Sequence, residues 1–161
     1  MPSKIEQRPV DRYFEEVGTA YNKNAGVAAL FVLLMLFGLV TLVWALPFPH
    51  LAFLGKYNGY LNWASFLIAG LIYYLLRLSP MVSYLMLFWL FGFSYGIIQL
   101  EGWQKAGGPA LWVIGFSVFA FTLAVQLFAI SASKISKGFN FLFKAPVWVL
   151  VLLLKKLGLK Y

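Results

Sequence analysis

Between Ala25 and Leu46 the sequence runs AGVAALFVLLMLFGLVTLVWAL without a single charge. A helix needs about 20 apolar residues to cross a hydrocarbon core of about 30 Å, so this segment is expected to span a bilayer. The rest of the chain agrees with a membrane solvent. Of the 161 residues, 62% are hydrophobic and 11% charged, whereas a soluble domain carries about 25% charged residues. A water-facing shell cannot be built from that supply. The span follows a polar tail that mixes Glu6, Asp11, Glu15 and Glu16 with Lys and Arg. With no small-residue cleavage site behind that tail, the span is expected to be retained rather than removed as a signal peptide. The absence of cysteine excludes disulfides, thiolate metal sites and cysteine nucleophiles.

In chain order, residues 1–24 form an amphipathic tail. Asp11 is a candidate N-cap, and Tyr13, Phe14, Val17, Ala20 and Tyr21 recur at helical spacing. Such a stripe suits either the membrane surface or the underside of a bundle. Residues 25–161 then make one membrane domain, with apolar runs at 25–46, 61–78, 81–100 and 110–132 that are each close to span length. The turn at Ser79-Pro80 is so short that the second and third runs must form a tight antiparallel hairpin. The stretch 139–154 is shorter, with Lys144 inside it and Pro146 just after, and is expected to be interfacial or re-entrant. The predicted fold is therefore all-α and polytopic: four transmembrane helices, an amphipathic N-terminal helix and that last segment.

Basic residues set the orientation, because cytoplasmic flanks are enriched in Lys and Arg. With four spans and both termini cytoplasmic, Lys4, Arg8, Arg12, Lys23, Arg77, Lys134, Lys137, Lys144, Lys155, Lys156 and Lys160 lie inside, and only Lys56 and Lys105 outside. If residues 139–154 crossed as well, three of these would change sides and most of the bias would be lost. The expected location is a bacterial inner membrane or the endoplasmic reticulum. Trp44, Trp63, Trp103 and Trp112 fall near the outer ends of the spans, as an aromatic belt would. The net charge of +8 is spread over a membrane rim, so it points to anionic lipid head groups rather than to nucleic acid.

Polar groups at membrane depth are costly unless partnered, which makes them candidate sites. The second run offers Asn62, Ser65, Ala69, Tyr73 and Arg77, and the fourth Gly115, Thr122, Gln126, Ala129 and Ser133. A lipid pocket between those two runs would draw on Asn62, Tyr73, Arg77, Thr122, Gln126 and Ser133. At the cytoplasmic interface, Lys134, Lys137 and Lys144 could receive a fatty-acid carboxylate. Gly92 and Gly96 make a GxxxG in the third run, a helix-packing motif that could also join two copies of the chain. Glu101 and Lys105 read as a solvated loop pair. The lone histidine, His50, sits between prolines and aromatics at the outer interface, so no two-histidine iron centre, histidine-rich zinc centre or Ser/His/acid triad can be assembled around it.

Three strings carry a resemblance. WALPFPHLAFLGKYNGYLNWASFLIAGLIYYLLRLSP from Trp44, SYGIIQLEGWQKAGGPALWV from Ser94, and APVWVLVLLLKKLGLKY from Ala145 together resemble the small membrane proteins related to yeast 2-hydroxy fatty acid dioxygenase. That enzyme shortens 2-hydroxy fatty acids in phytosphingosine degradation. The likeness covers most of residues 44–112 and the last stretch, in the same order. It implies a compact helical membrane fold and, in active members, ferrous iron held by histidines in an HxNPxN…H pattern entering the first span and a GH…E pattern after the fourth. Here the matching regions read Tyr21-Asn22-Lys23-Asn24-Ala25-Gly26 and Ser131-Ala132-Ser133-Lys134-Ile135-Ser136, with no histidine in either. The segment between Lys134 and Pro146 is also shorter than the family's. No functional residue carries over, and the resemblance then implies a divergent non-catalytic paralogue or an altered sequence. The expectation is an iron-free membrane protein on this scaffold, binding membrane lipid and a fatty-acyl ligand. An active dioxygenase with unrecognised ligands, and a structural or partner-binding module such as a homo-oligomer, stand as the alternatives.

Overall fold

A computed structural model describes residues 8–19, 21, 25–49, 55, 61–129 and 138–160. Within them the chain is all helical: α1 (Pro9–Gly18), α2 (Ala25–Trp44), α3 (Trp63–Leu78), α4 (Pro80–Lys105), α5 (Leu111–Ala129) and α6 (Gly138–Lys156). Three helices are long and apolar enough to cross a membrane: α2, α4 and α5 over Leu111–Phe128. The second apolar run falls short of that measure. Asn62 caps α3 and Pro80 follows Ser79, so 16 residues are left in it, about 24 Å at 1.5 Å per residue.

α1 begins at Pro9, not at an Asp11 cap. Proline at the first helical position has no amide to orphan and a preset φ, and Arg8 stands before it without a side-chain cap bond. Asp11 lies in the first turn and accepts from Arg8 Nε at 3.0 Å. The expected stripe is present in part: Val10, Val17 and Tyr21 are buried, and Tyr13 and Phe14 half-buried. Ala20 lies outside the described residues. This face packs on α6, so α1 lies against the bundle.

The α2 and α5 backbones meet most closely. A Cβ on Gly38 would sit 2.7 Å from the Phe119 amide nitrogen, and one on Gly115 would sit 2.8 Å from that of Leu42. Small residues permit such an approach where lipid supplies no hydrophobic drive between helices. The opposite side of α2 faces the α3–α4 hairpin, with Phe37 edge-on to Phe93 at 5.4 Å between centroids. That hairpin turns on Ser79 alone, which ends α3 and starts α4 in extended conformation. Ser79 N–H donates to Leu75 O at 2.8 Å, and Ser79 O accepts from Ser83 N–H at 3.1 Å.

α4 does not stop at Glu101. It continues to Lys105, and Glu101 pairs with Lys105 at 3.4 Å one helical turn on. The expected loop pair is thus a helical i,i+4 pair. The helix closes at Gly107, whose φ of 95° is the left-handed conformation that only glycine takes without strain. Gln104 then accepts from the Leu111 amide at 2.7 Å and tethers the start of α5.

The expected interfacial or re-entrant segment is one unbroken helix through Pro146. From Ala145 to Val151 α6 is buried on every side, packed by α1, α2 and α4. α1 covers the face that a helix lying at the interface would otherwise leave outward.

Candidate functional site

Among the described residues the joint pocket expected between the second and fourth runs does not form, because α3 and α5 pack on different faces of α2. Its candidate residues are dispersed. Asn62 caps α3 in a reciprocal box, accepting from Ser65 N–H at 3.0 Å while its own amide donates to Ser65 Oγ at 3.4 Å. Tyr73 is 60% exposed and is engaged by Arg77, whose Nη2 donates to the phenol oxygen at 2.9 Å. Thr122 is buried and donates back to Val118 O at 2.7 Å within its own helix. Ser133, Lys134 and Lys137 lie outside the described residues, as does His50. A Cβ on Gly92 would meet nothing within 4 Å, while one on Gly96 would lie 3.5 Å from the Phe37 ring.

Gln126 has a different role from the one its sequence position suggests. Buried at the meeting of α5, α2 and the α1–α2 link, its Oε1 accepts from the Tyr21 hydroxyl, and its Nε2 donates to Ala28 O at 3.4 Å. Tyr21 stacks at a tilt on Trp148, 5.1 Å between centroids. Burial pushes the Tyr21 hydroxyl above its ordinary range, so the folded state favours the neutral phenol. This contribution to stability is fully present below about pH 10, the unfolded value, and is lost as pH rises through the higher folded value. The advantage of wild type over Tyr21→Phe, measured by melting in detergent, is therefore expected to hold at neutral pH and to shrink above about pH 10.

Among the described residues a cleft lies between α1, α3 and α6. It has a volume of about 600 Å³ and is lined by Tyr13, Phe66, Leu67, Gly70, Leu71, Tyr74 and Lys144, within the range of small-molecule sites. One wall is a face of α3, where residues 66, 70 and 74 recur at helical spacing and Gly70 leaves room between two aromatic rings. A Cβ on Gly70 would meet nothing within 4 Å. The other wall carries Tyr13 of α1 and Lys144 of α6. Lys144 Nζ lies 4.9 Å above the Tyr13 ring centroid and is ion-paired with Glu16. The result is an apolar trough with one cation at its rim. Of the three interfacial lysines expected to meet a carboxylate, Lys144 is the one within the described residues.

Tyr73 is the α3 tyrosine expected at a lipid pocket from the sequence, whereas its neighbour Tyr74 lines the cleft. The aromatic–glycine–aromatic spacing at 66, 70 and 74 was the available signal. Tyr13 entered as part of an amphipathic stripe, with nothing local to say that α3 would face it.

Of the residues set against the resembled family's ligand patterns, Tyr21, Ala25 and Gly26 lie within the described residues. Tyr21 gives its hydroxyl to Gln126, and the chain's single histidine cannot supply a histidine set. Among the described residues no three His, Cys, Asp or Glu side chains gather to hold a metal. Comparison with protein-family models, curated proteins and solved structures finds no match to this chain.

Proposed function

We propose that this chain is a four-span integral membrane protein on a 2-hydroxy fatty acid dioxygenase-like scaffold, holding one fatty-acyl lipid without iron chemistry. The observation that carries the lipid reading is the α1–α3–α6 cleft, apolar along α3 and cationic at Lys144. In this reading α3 is the fourth span. Its shortfall in length is met by local thinning and by Arg77 reaching toward the head groups. Trp63, Trp103 and Trp112 are exposed near the ends of consecutive antiparallel helices, as residues at one membrane interface would be. With both termini cytoplasmic, eleven of the thirteen basic residues share that side.

The test is purification in mild detergent, followed by lipid mass spectrometry and elemental iron analysis after anaerobic incubation with ferrous iron. Retained acyl lipid and background iron are expected. Gly70→Phe, which fills the cleft where there is open space, is expected to lose the lipid and keep the melting temperature. Near one iron per chain, with oxygen-dependent consumption of 2-hydroxy fatty acid, would overturn the iron-free reading in favour of an active dioxygenase. Lipid retention unchanged in Gly70→Phe would remove the cleft from the proposal.

A further inference from the structure

The cation at the cleft rim already has a carboxylate. Lys144, with 24% of its side chain exposed, is paired with Glu16 on α1, whose side chain is 47% exposed. Both therefore stand at a boundary between the apolar trough and solvent, where an ion pair is worth little and exchanges readily. Lys144 is also held over the Tyr13 ring, which keeps the ammonium at the rim in the absence of Glu16.

We infer that Glu16 is an internal stand-in for the ligand's head group: an acyl chain in the α1–α3–α6 cleft places its own carboxylate on Lys144 and displaces Glu16. This rests on the acyl-lipid reading and adds the chemistry of the head and a residue that competes with it. The group seated on Lys144 in the structure is a carboxylate, so the ammonium is placed to pair with one. Exchange conserves charge at the rim, because the released Glu16 turns to solvent rather than being buried unpaired. It also sets a modest affinity for the acid form of the lipid, since every bound carboxylate must first replace a tethered one.

The experiment measures dissociation constants of palmitate, hexadecanol and palmitoyl lysophosphatidate on detergent-solubilised full chain, at a pH where palmitate is ionised. Glu16→Gln is expected to bind palmitate about two- to fivefold more tightly, the range open to a partly exposed ion pair, with hexadecanol unchanged. Lys144→Met should lose palmitate by about tenfold or more while binding hexadecanol as wild type does, and Lys144→Arg should keep the preference for palmitate. Hexadecanol binding serves as the report that each variant retains a folded cleft. Palmitate affinity unchanged in Glu16→Gln or Lys144→Met would overturn the inference, and so would an equal gain for hexadecanol in Glu16→Gln. A larger gain for the lysophosphatidate than for palmitate would overturn the carboxylate assignment. If wild type binds neither palmitate nor hexadecanol, the acyl-lipid reading itself fails, and this inference with it.

Discussion

Trp148→Ala is expected to destabilise the protein by about 3–5 kcal/mol, the cost of deleting a large buried aromatic side chain. Trp148 is 1% exposed in the middle of α6. It stacks on Tyr21, and its indole lies against Gly18, where a Cβ would come within 3.4 Å of Nε1. One residue thus fills the space between α6, the end of α1 and the link into α2. In a bilayer the loss is chiefly of packing contacts, since lipid tails offer a side chain as apolar a surrounding as leucine does. The cavity would also loosen Tyr21 and so its bond to Gln126. Thermal or SDS-induced unfolding in detergent is the measurement, with Trp148→Phe expected to recover most of the loss. A Trp148→Ala curve superimposable on wild type would mean that α6 is not enclosed in the bundle as described.

Gly38→Ala or Gly115→Ala should each cost about 1–3 kcal/mol, as overpacking does when the obstructing atoms cannot move. The atoms that a new Cβ meets are backbone, at 2.7 Å for Gly38 and 2.8 Å for Gly115, so α2 and α5 would have to separate along their length. Because both glycines serve one crossing, the double variant should cost less than the two single losses together: the helices part once. Gly92→Ala supplies the contrast. With nothing within 4 Å, it should be neutral or slightly stabilising, through helix propensity alone. If Gly92→Ala were as damaging as Gly38→Ala, a partner would be packing on Gly92 from outside this chain.

That contrast also shows what the sequence made legible. Helix existence and the tight Ser79 hairpin were readable because uniform apolarity and a proline stop are local signals. The closest helix crossing was not. GxxxG drew attention to Gly92 and Gly96, while the pair that touches backbone, Gly38 and Gly115, belongs to two helices with unrelated local patterns. The enclosure of α6 was hidden for a related reason: Lys144 and Pro146 look like interruptions when the neighbours that enclose the helix are unknown. Proline is tolerated inside a helix when surrounding elements take up the freed backbone group. Thr122 and Gln126 stand out in the sequence as polar groups within an apolar run, and both are buried. Only the tertiary structure assigns Gln126 to Tyr21, 105 positions away. The cleft was half legible, since Lys144 was singled out for a carboxylate but its apolar wall lay on a face of α3 one residue away from the one chosen.

The packing of α1 on α6 has a consequence for how such a chain is made. Glu16 and Lys144 are 128 residues apart, and Val17 and Tyr21 find their buried neighbours Ala145, Trp148 and Val149 at a similar remove. α1 therefore waits, its apolar face uncovered, while every helix between it and α6 is synthesised. Closure of the bundle is a late, non-local event, slow relative to pairing of the α3–α4 hairpin. A chain that stops before α6 would keep the stripe of Val10, Val17 and Tyr21 uncovered.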